Sequence, residues 1–355
     1  MLLILGLYCL LIFAFLFGLY LKKNIKKHNS NSFLKNSTIL IPFKNEAANI
    51  KMLLDDLVLQ SVDIPIIVIN DHSSDESAEI VMTYLSKLPN LNLLNMDKSF
   101  GKKQAIDLAI KHYESDFYIS LDADVRLHSG WFASLKSILA DCNSDLIILP
   151  VKMNSGSSFF EAFQVLEFSS LIASTFGAAK IGMPIMCNGA NLVFSADLYK
   201  KYYRMNNYSS GDDMFLLEAA LRNKCIIDYE YKVEVSVNID AMPTIKSFIN
   251  QRKRWAGKSL GYRSISIISV ALIILLANIS IVAISIGALI GYCSLQTLAF
   301  AIFLKILPDF LILRKHLIYF EQKTILRYFA PIFFIYPIYI IATAFTGFLS
   351  PKRRW

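Results

Sequence analysis

Two carboxylates one residue apart, Asp122 and Asp124, follow the β-prone run Tyr118-Ile119-Ser120-Leu121. Ile and aromatic residues favour a strand, so the pair stands where a buried strand surfaces. Residues i and i+2 on extended backbone point the same way. Two converging carboxylates repel each other unless a cation sits between them or each binds a different group. Hard oxygen donors suit Mg²⁺ or Mn²⁺, with a substrate phosphate completing the shell. A polar turn at a strand end is the bland alternative, and the triplet alone does not decide between them.

Other groups able to do chemistry recur at similar places. Glu46 follows an apolar run that ends in Pro42, and Asp71 follows the run 65–70. Lys102 opens a helical pattern, as do Asp212 and Asp213 after Gly211. Gln251, Arg254 and Trp255 stand at i, i+3 and i+4, which puts them on one face of a helix. A basic helix ahead of an apolar segment would explain that last stretch without any site. The acidic turns at Asp71 and Asp213 likewise suit plain helix caps.

Alternating elements must position these residues. Strands are predicted over 38–42, 65–70, 91–94, 117–121 and 145–151. Helices are predicted after Glu46, from Ser74 or Asp75 to about 87, and over 101–111, 131–141, 214–222 and 243–259. Such alternation predicts a mostly parallel sheet with helices on both faces, and carboxyl ends of parallel strands face the ligand crevice. The aromatic stretch 159–175 is either a core helix or a helix lying in a membrane interface. Residues 188–194 read as a glycine-containing turn into a strand.

Of the 355 residues, 55% are hydrophobic and 18% charged, an apolar balance for a soluble enzyme. Residues 1–21 are almost continuously apolar, about the ~20 residues that span a bilayer as a helix. A signal peptide would carry its basic residues ahead of the apolar run. Here Lys22, Lys23, Lys26 and Lys27 come after it, which favours an anchor with the following chain cytoplasmic. Two spans are predicted over 265–292 and 295–313. A third apolar segment over 328–349 is interrupted by Pro331 and Pro337 and is expected to be broken or re-entrant. Lys305 and Asp309, at i and i+4 inside an apolar segment, are expected to pair. The net charge of +8 is concentrated at membrane flanks, and no basic stripe with interleaved aromatics points to nucleic acid. The five cysteines are scattered and read as reduced thiols.

The motifs Ile41-Pro42-Phe43-Lys44-Asn45-Glu46, Asn70-Asp71, Gly101-Lys102, Asp122-Ala123-Asp124, Gly211-Asp212-Asp213 and Gln251-Arg252-Lys253-Arg254-Trp255 come in this order. Their order and spacing resemble a membrane-bound family 2 glycosyltransferase of the GT-A fold, over about 37–258. That resemblance implies an α/β nucleotide-diphospho-sugar transferase domain with a Rossmann-like, mostly parallel sheet and flanking transmembrane helices. It implies an inverting enzyme using a UDP- or GDP-sugar. Pro42, Glu46, Asp71, Lys102, Asp122 and Arg254 would hold the nucleotide-sugar, with Asp71 on the base and Arg254 on the pyrophosphate. Lys103 is the alternative to Lys102. Asp124, with Asp122, would hold Mg²⁺ or Mn²⁺. Asp213 would be the general base, with Asp212 as its helper. The family more often has Glu-Asp there, and Asp212 is one methylene shorter. Asn188, Gly189, Gln251 and Trp255 would line the acceptor side.

The expected organisation is an anchor over 1–21, a basic linker over 22–36, a cytoplasmic GT-A domain over 37–263, a membrane region over 264–349 and a basic tail over 350–355. The expected activity is sugar transfer from a nucleotide-sugar to a membrane-associated lipid or glycan acceptor, at the cell envelope. A bacterial inner membrane is the expected place, with the catalytic domain cytoplasmic. Two alternatives stand beside it: a processive or short-chain polysaccharide synthase, and a non-catalytic membrane-anchored sugar-nucleotide-binding regulator.

Overall fold

The computed structural model describes residues 1–21, 36–97, 100–140, 143–204, 211–259 and 261–349. The basic flanks Lys22, Lys23, Lys26 and Lys27 and the tail 350–355 lie outside the described residues. The chain forms two compact units. Of the described residues, one unit holds those within 36–152 and 187–240, and the other those within 1–21, 153–186 and 241–349. Residues 153–186 and 241–263, expected within the catalytic domain, are therefore grouped with the apolar helices.

The first unit is built on a sheet of seven strands in the order β3-β2-β1-β4-β8-β6-β9. These are β1 (Ser37–Phe43), β2 (Ile66–Asn70), β3 (Leu91–Asn95), β4 (Phe117–Leu121), β6 (Leu146–Ile148), β8 (Asn191–Ser195) and β9 (Ile227–Tyr229). Strands β1 and β4 are buried along their whole length, as expected for parallel strands covered on both faces. Helix α2 (Ala47–Leu59) turns Ile50, Leu53, Leu54 and Leu57 inward at helical spacing.

The expected parallel core is present: β1 pairs in parallel with β2 and with β4, and β2 with β3. Strand β8 breaks the pattern, running antiparallel between β4 and β6. Its first residue, Asn191, pairs with Leu121, the last residue of β4. The turn ahead of β8 is thereby delivered beside Asp122. The run 145–151 does not form one strand. It divides around Pro150 into β6 and β7 (Val151–Met153), and β7 joins β5 (Arg126–Leu127) and β10 (Val237–Ile239) in a small second sheet.

Asp56 of α2 fixes the chain just after the carboxylate pair. Its oxygens accept from Arg126 Nε and Nη2 at 2.7 Å each and from the Leu127 amide at 3.0 Å. A bidentate, charge-assisted contact of this kind has directional strength that a single hydrogen bond lacks.

The second unit gathers α1 (Leu2–Tyr20), α6 (Phe159–Lys180), α8 (Ile245–Ser259), α9 (Ile265–Leu289), α10 (Leu295–Tyr319) and α11 (Phe329–Leu349). Among the described residues, four helical stretches are long and apolar enough to cross a membrane: Leu2–Tyr20, Ile265–Leu289, Leu295–Tyr319 and Lys323–Thr346. Helix α6 packs on α1 and α10 with most of its faces buried, which makes it a core helix of this unit.

The break expected at Pro331 and Pro337 is not found, since α11 runs unbroken through Pro337. Pro331 lies in the first turn, where its missing N–H has no intrahelical partner to lose. Prolines are tolerated inside apolar helices when neighbouring groups satisfy the freed carbonyl.

Lys305 and Asp309 do pair, at 2.7 Å. Tyr8 of α1 donates to the other Asp309 oxygen at 2.5 Å, so the pair also ties α1 to α10. The rings of Tyr8, Phe333 and Tyr336 surround the Lys305 ammonium at 5.1, 5.3 and 5.6 Å. A charge in an apolar helix is thus met by a counter-charge and by ring faces.

Candidate active site

Parallel strands bring the ends of β1, β2 and β4 to one edge of the sheet, so Glu46, Asp71 and Asp122 emerge together. The loops after β1 and β2 are stitched to each other. The Asn45 and Glu46 amides donate to Ser73 Oγ and Ser77 Oγ at 3.0 and 2.8 Å, and the Ser74 amide donates to Asn45 Oδ1 at 2.8 Å. Asp75 accepts from the Ala47 amide at 3.0 Å and so serves the start of α2, while α3 (Ser77–Tyr84) is preceded by Glu76.

Asp71 is buried at this edge. One of its oxygens accepts from the Gly101 amide at 2.8 Å and the other lies 3.1 Å from His72 Nδ1. It therefore holds the start of α4 (Lys102–His112), whatever else it contacts. The alternatives at 102 and 103 part clearly. Lys102 donates to Asp122 in a short contact and to the Gly189 carbonyl at 3.3 Å. Lys103 is buried, its ammonium 5.0 Å from the Phe215 ring.

The Gly189 peptide is the junction of the site. Its carbonyl also accepts from Ser120 Oγ at 2.8 Å, and its amide donates to Asp213 Oδ2 at 3.2 Å. A Cβ at Gly189 would lie 3.2 Å from Lys102 Nζ, 3.4 Å from Asp213 Cβ and 3.7 Å from Asp212 Oδ2. Base candidate and lysine thus meet across a single residue. Asp212 and Asp213 open α7 (Asp212–Arg222) after Gly211, whose left-handed φ of +93° glycine adopts without a Cβ clash. Asp213 Oδ1 accepts from the Met214 amide at 2.8 Å. These two backbone donors, one to each oxygen, orient the carboxylate.

Sequence reasoning missed Ser120, which lies inside a buried strand and gives no polar signal of its own. Asn188 lies in the same turn and steadies it, its side chain accepting from the Ala190 amide at 3.0 Å. Asn191 is structural: it is fully buried and bonds the carbonyls of Pro150 and Val235 at 2.9 Å each. Pro42 lies within β1, opposite Ile69 of β2.

Three carboxylates crowd the end of β4. Desolvation by the surrounding protein and the charges of Asp122 and Glu46 push the Asp124 carboxyl up to about 7, although part of the side chain still meets solvent. Glu46 is raised as well, by desolvation first and then by Asp122 and Asp75, against a hydrogen bond from Asn49. With Asp122 already taking Lys102, Asp124 carries charge that a divalent cation would relieve. Among the described residues no three or more His, Cys, Asp or Glu side chains form a metal cage. Two carboxylates with substrate phosphates are the usual donor set for Mg²⁺, so the residues present fit such an ion.

A proton on Asp124 competes with a metal. Mn²⁺ affinity is expected to weaken as pH falls below about 7, by up to roughly tenfold per pH unit. Mn²⁺ titrations by calorimetry between pH 5.5 and 8.5 check this, and a flat profile would remove Asp124 from the metal site.

Gln251, Arg254 and Trp255 lie on α8, in the other unit. The residue of that motif that the structure buries is Arg252, which sequence reasoning passed over. Its Nε donates to Glu167 Oε1 on α6 at 3.0 Å, and its Nη2 to Glu167 Oε2 at 2.5 Å. The Tyr339 hydroxyl of α11 lies 3.1 Å from Nε and donates to Glu167 at 3.0 Å. The guanidinium stacks between Phe248 and Trp255, 4.4 and 4.2 Å from their centroids, and bonds Gln251. Arg254 is exposed.

Strand order, antiparallel β8 and the carboxylate edge together define a nucleotide-sugar transferase fold of the GT-A class. Residues 38–200 match Glycosyl transferase family 2, so the chain carries a family 2 glycosyltransferase domain. Over 125 residues it is 35% identical to dolichyl-phosphate beta-glucosyltransferase ALG5C of Trichomonas vaginalis, covering 32% of this chain and 37% of that protein. Over 93 residues it is 34% identical to 4,4'-diaponeurosporenoate glycosyltransferase of Staphylococcus haemolyticus, covering 26% and 25%. The chain thus spans well under half the length of the curated relatives it matches. A solved structure, the mannosyltransferase PcManGT from Pyrobaculum calidifontis in complex with GDP-Man and Mn²⁺, superposes with a TM-score of 0.57. The identity is 17%, with 97% of this chain and 99% of that one covered, and the likeness is one of fold.

Proposed function

We propose that this chain is an inverting glycosyltransferase that moves a sugar from a UDP- or GDP-sugar to a membrane-associated lipid. The observation that carries the reading is Gly189, whose amide donates to Asp213 and whose carbonyl accepts from Lys102, the partner of Asp122. A base and a cation held a few ångströms apart suit a single displacement, with attack on one face of the anomeric carbon and departure from the other.

Asp213 takes the proton of the acceptor hydroxyl as its oxygen bonds to the anomeric carbon. The bond from that carbon to the diphosphate breaks, and Lys102 stabilises the charge gathering on the departing oxygens. A Mg²⁺ or Mn²⁺ ion held by Asp124 and Asp122 would supply Lewis-acid neutralisation of the diphosphate. Glu46 and Asp71 present carboxylates suited to ribose hydroxyls and a base N–H. For Gln251, Arg254 and Trp255, the support is the motif itself.

The apolar helices favour a lipid acceptor over a soluble one. The dolichyl-phosphate in the name of one relative points the same way, and a membrane location with the catalytic domain cytoplasmic belongs to this reading. The experiment is a screen of radiolabelled UDP- and GDP-sugars against membranes containing the protein, with Mn²⁺, followed by organic extraction. One label-bearing lipid species supports the reading. Polymer at the origin supports the synthase alternative, and donor binding without turnover supports a regulator.

A further inference from the structure

One member of the motif Gln251-Arg252-Lys253-Arg254-Trp255 is shut away from any substrate. Arg252 is 3% exposed, while Gln251 and Trp255 on the same helix are half-buried. A guanidinium is a planar fork of N–H donors. Here Nε and Nη2 meet the two Glu167 oxygens of α6, and Nη1 meets Gln251 Oε1. Glu167 is buried too and takes a further donor, the Tyr339 hydroxyl of α11, at 3.0 Å. The plane of the guanidinium is thereby set by α6 and α11 rather than by α8.

That plane has two dependants. Nη1 holds the Gln251 side chain, and the Trp255 ring centroid lies 4.2 Å from the guanidinium. Among the described residues Gln251 makes no other side-chain hydrogen bond, and Trp255 no other ring or charge contact. A buried ion pair adds little net stability over apolar residues of similar volume. What a bidentate contact supplies is direction. A ring on the face of a cation fixed in this way takes its orientation from it.

We propose that Glu167, Arg252 and Tyr339 are positioning residues that set Gln251 and Trp255 for the acceptor lipid. The inference rests on the reading of Gln251 and Trp255 as acceptor-side residues. It makes an acid on α6 and a phenol on α11, neither of them in a motif, determinants of acceptor use. The donor is not affected, because none of the residues that Arg252 contacts is assigned to the nucleotide-sugar. Arg252 itself is too buried to meet the acceptor and acts through its two neighbours.

The test uses the full-length protein in detergent, with total membrane lipid extract as the acceptor. Arg252→Lys keeps a positive charge for Glu167 but loses the planar fork. The apparent KM for the extract is expected to rise roughly 3–10-fold, the worth of a hydrogen bond, while donor Kd stays at its wild-type value. A merely loosened fold would lower turnover and leave that KM alone. Acrylamide quenching of Trp255 fluorescence should rise as well, read in a Trp355→Phe background where the remaining tryptophan, Trp131, is fully buried. Glu167→Leu with Arg252→Met separates position from stability. Its raised KM should persist even as Tm recovers, since no guanidinium is left to hold Gln251 and Trp255. Wild-type KM and quenching in Arg252→Lys overturn the proposal, and so does a wild-type KM in the double variant. Trp255→Leu tests the underlying reading separately. If it raises the KM and Arg252→Lys does not, the positioning role is wrong. If neither raises the KM while quenching rises, the acceptor assignment of Trp255 fails, and the hold of Arg252 on it stands.

Discussion

Asp213→Asn is expected to lower sugar transfer by roughly 10²–10⁴-fold, the usual worth of general-base catalysis. The substitution keeps the side chain's size, and its amide oxygen can still accept from the Gly189 amide, which Asp213 takes at 3.2 Å, at the loss of the local bond from the Met214 amide. The turn ahead of β8 and the neighbouring lysine therefore stay in place. What is lost is the ability to take a proton. Nucleotide-sugar affinity with Mn²⁺ is expected to survive, because Asp71, Asp122, Asp124 and Lys102 are untouched. Asp124→Asn is expected to behave differently, losing metal-dependent donor affinity together with turnover. Affinity measured beside transfer rates separates the two. Near wild-type transfer by Asp213→Asn would end the base assignment. Loss of donor affinity in that variant would move Asp213 into the nucleotide site.

The second large effect is expected at Glu167→Ala. Arg252 and Glu167 have side chains only 4% and 5% exposed, and their contact is bidentate. Deleting the glutamate strands a guanidinium away from water, and breaking a buried pair in this way costs about 3–5 kcal/mol. The Tyr339 hydroxyl loses its acceptor at the same time. Thermal unfolding in detergent should show a large drop in Tm. The double variant Glu167→Leu with Arg252→Met should recover much of it, because a buried ion pair can be replaced by apolar residues at little net cost. If the double variant is no more stable than Glu167→Ala, an uncompensated charge is not the cause. Arg252 also carries Trp255 on its guanidinium face and holds Gln251, so Glu167→Ala should disturb the whole motif helix.

Local pattern was enough for much of this protein. The buried strand ending in Asp122 and Asp124, the inward face of α2, the start of α7 at Asp212 and the pairing of Lys305 with Asp309 all follow from spacing within a few residues. Short-range rules suffice there because period 2, period 3.6 and i, i+4 contacts are fixed by backbone geometry. The succession of strands and helices likewise implied a mostly parallel sheet, which the structure bears out.

What only the tertiary structure decided depends on partners distant in sequence. Nothing local to 191–195 says that this strand runs antiparallel to β4, yet that pairing is what sets Gly189 beside Asp122 and Asp213. Pairing direction depends on the strands on either side, not on the strand's own residues. The helical-face argument for Gln251, Arg254 and Trp255 could not see that Arg252 is the buried member, because burial is decided by Glu167 and Tyr339 on two other helices. Tyr199 and Tyr203 carry no motif at all, and only the fold buries both hydroxyls without a partner among the described residues, since the cost of an unpaired polar group exists only in a buried place.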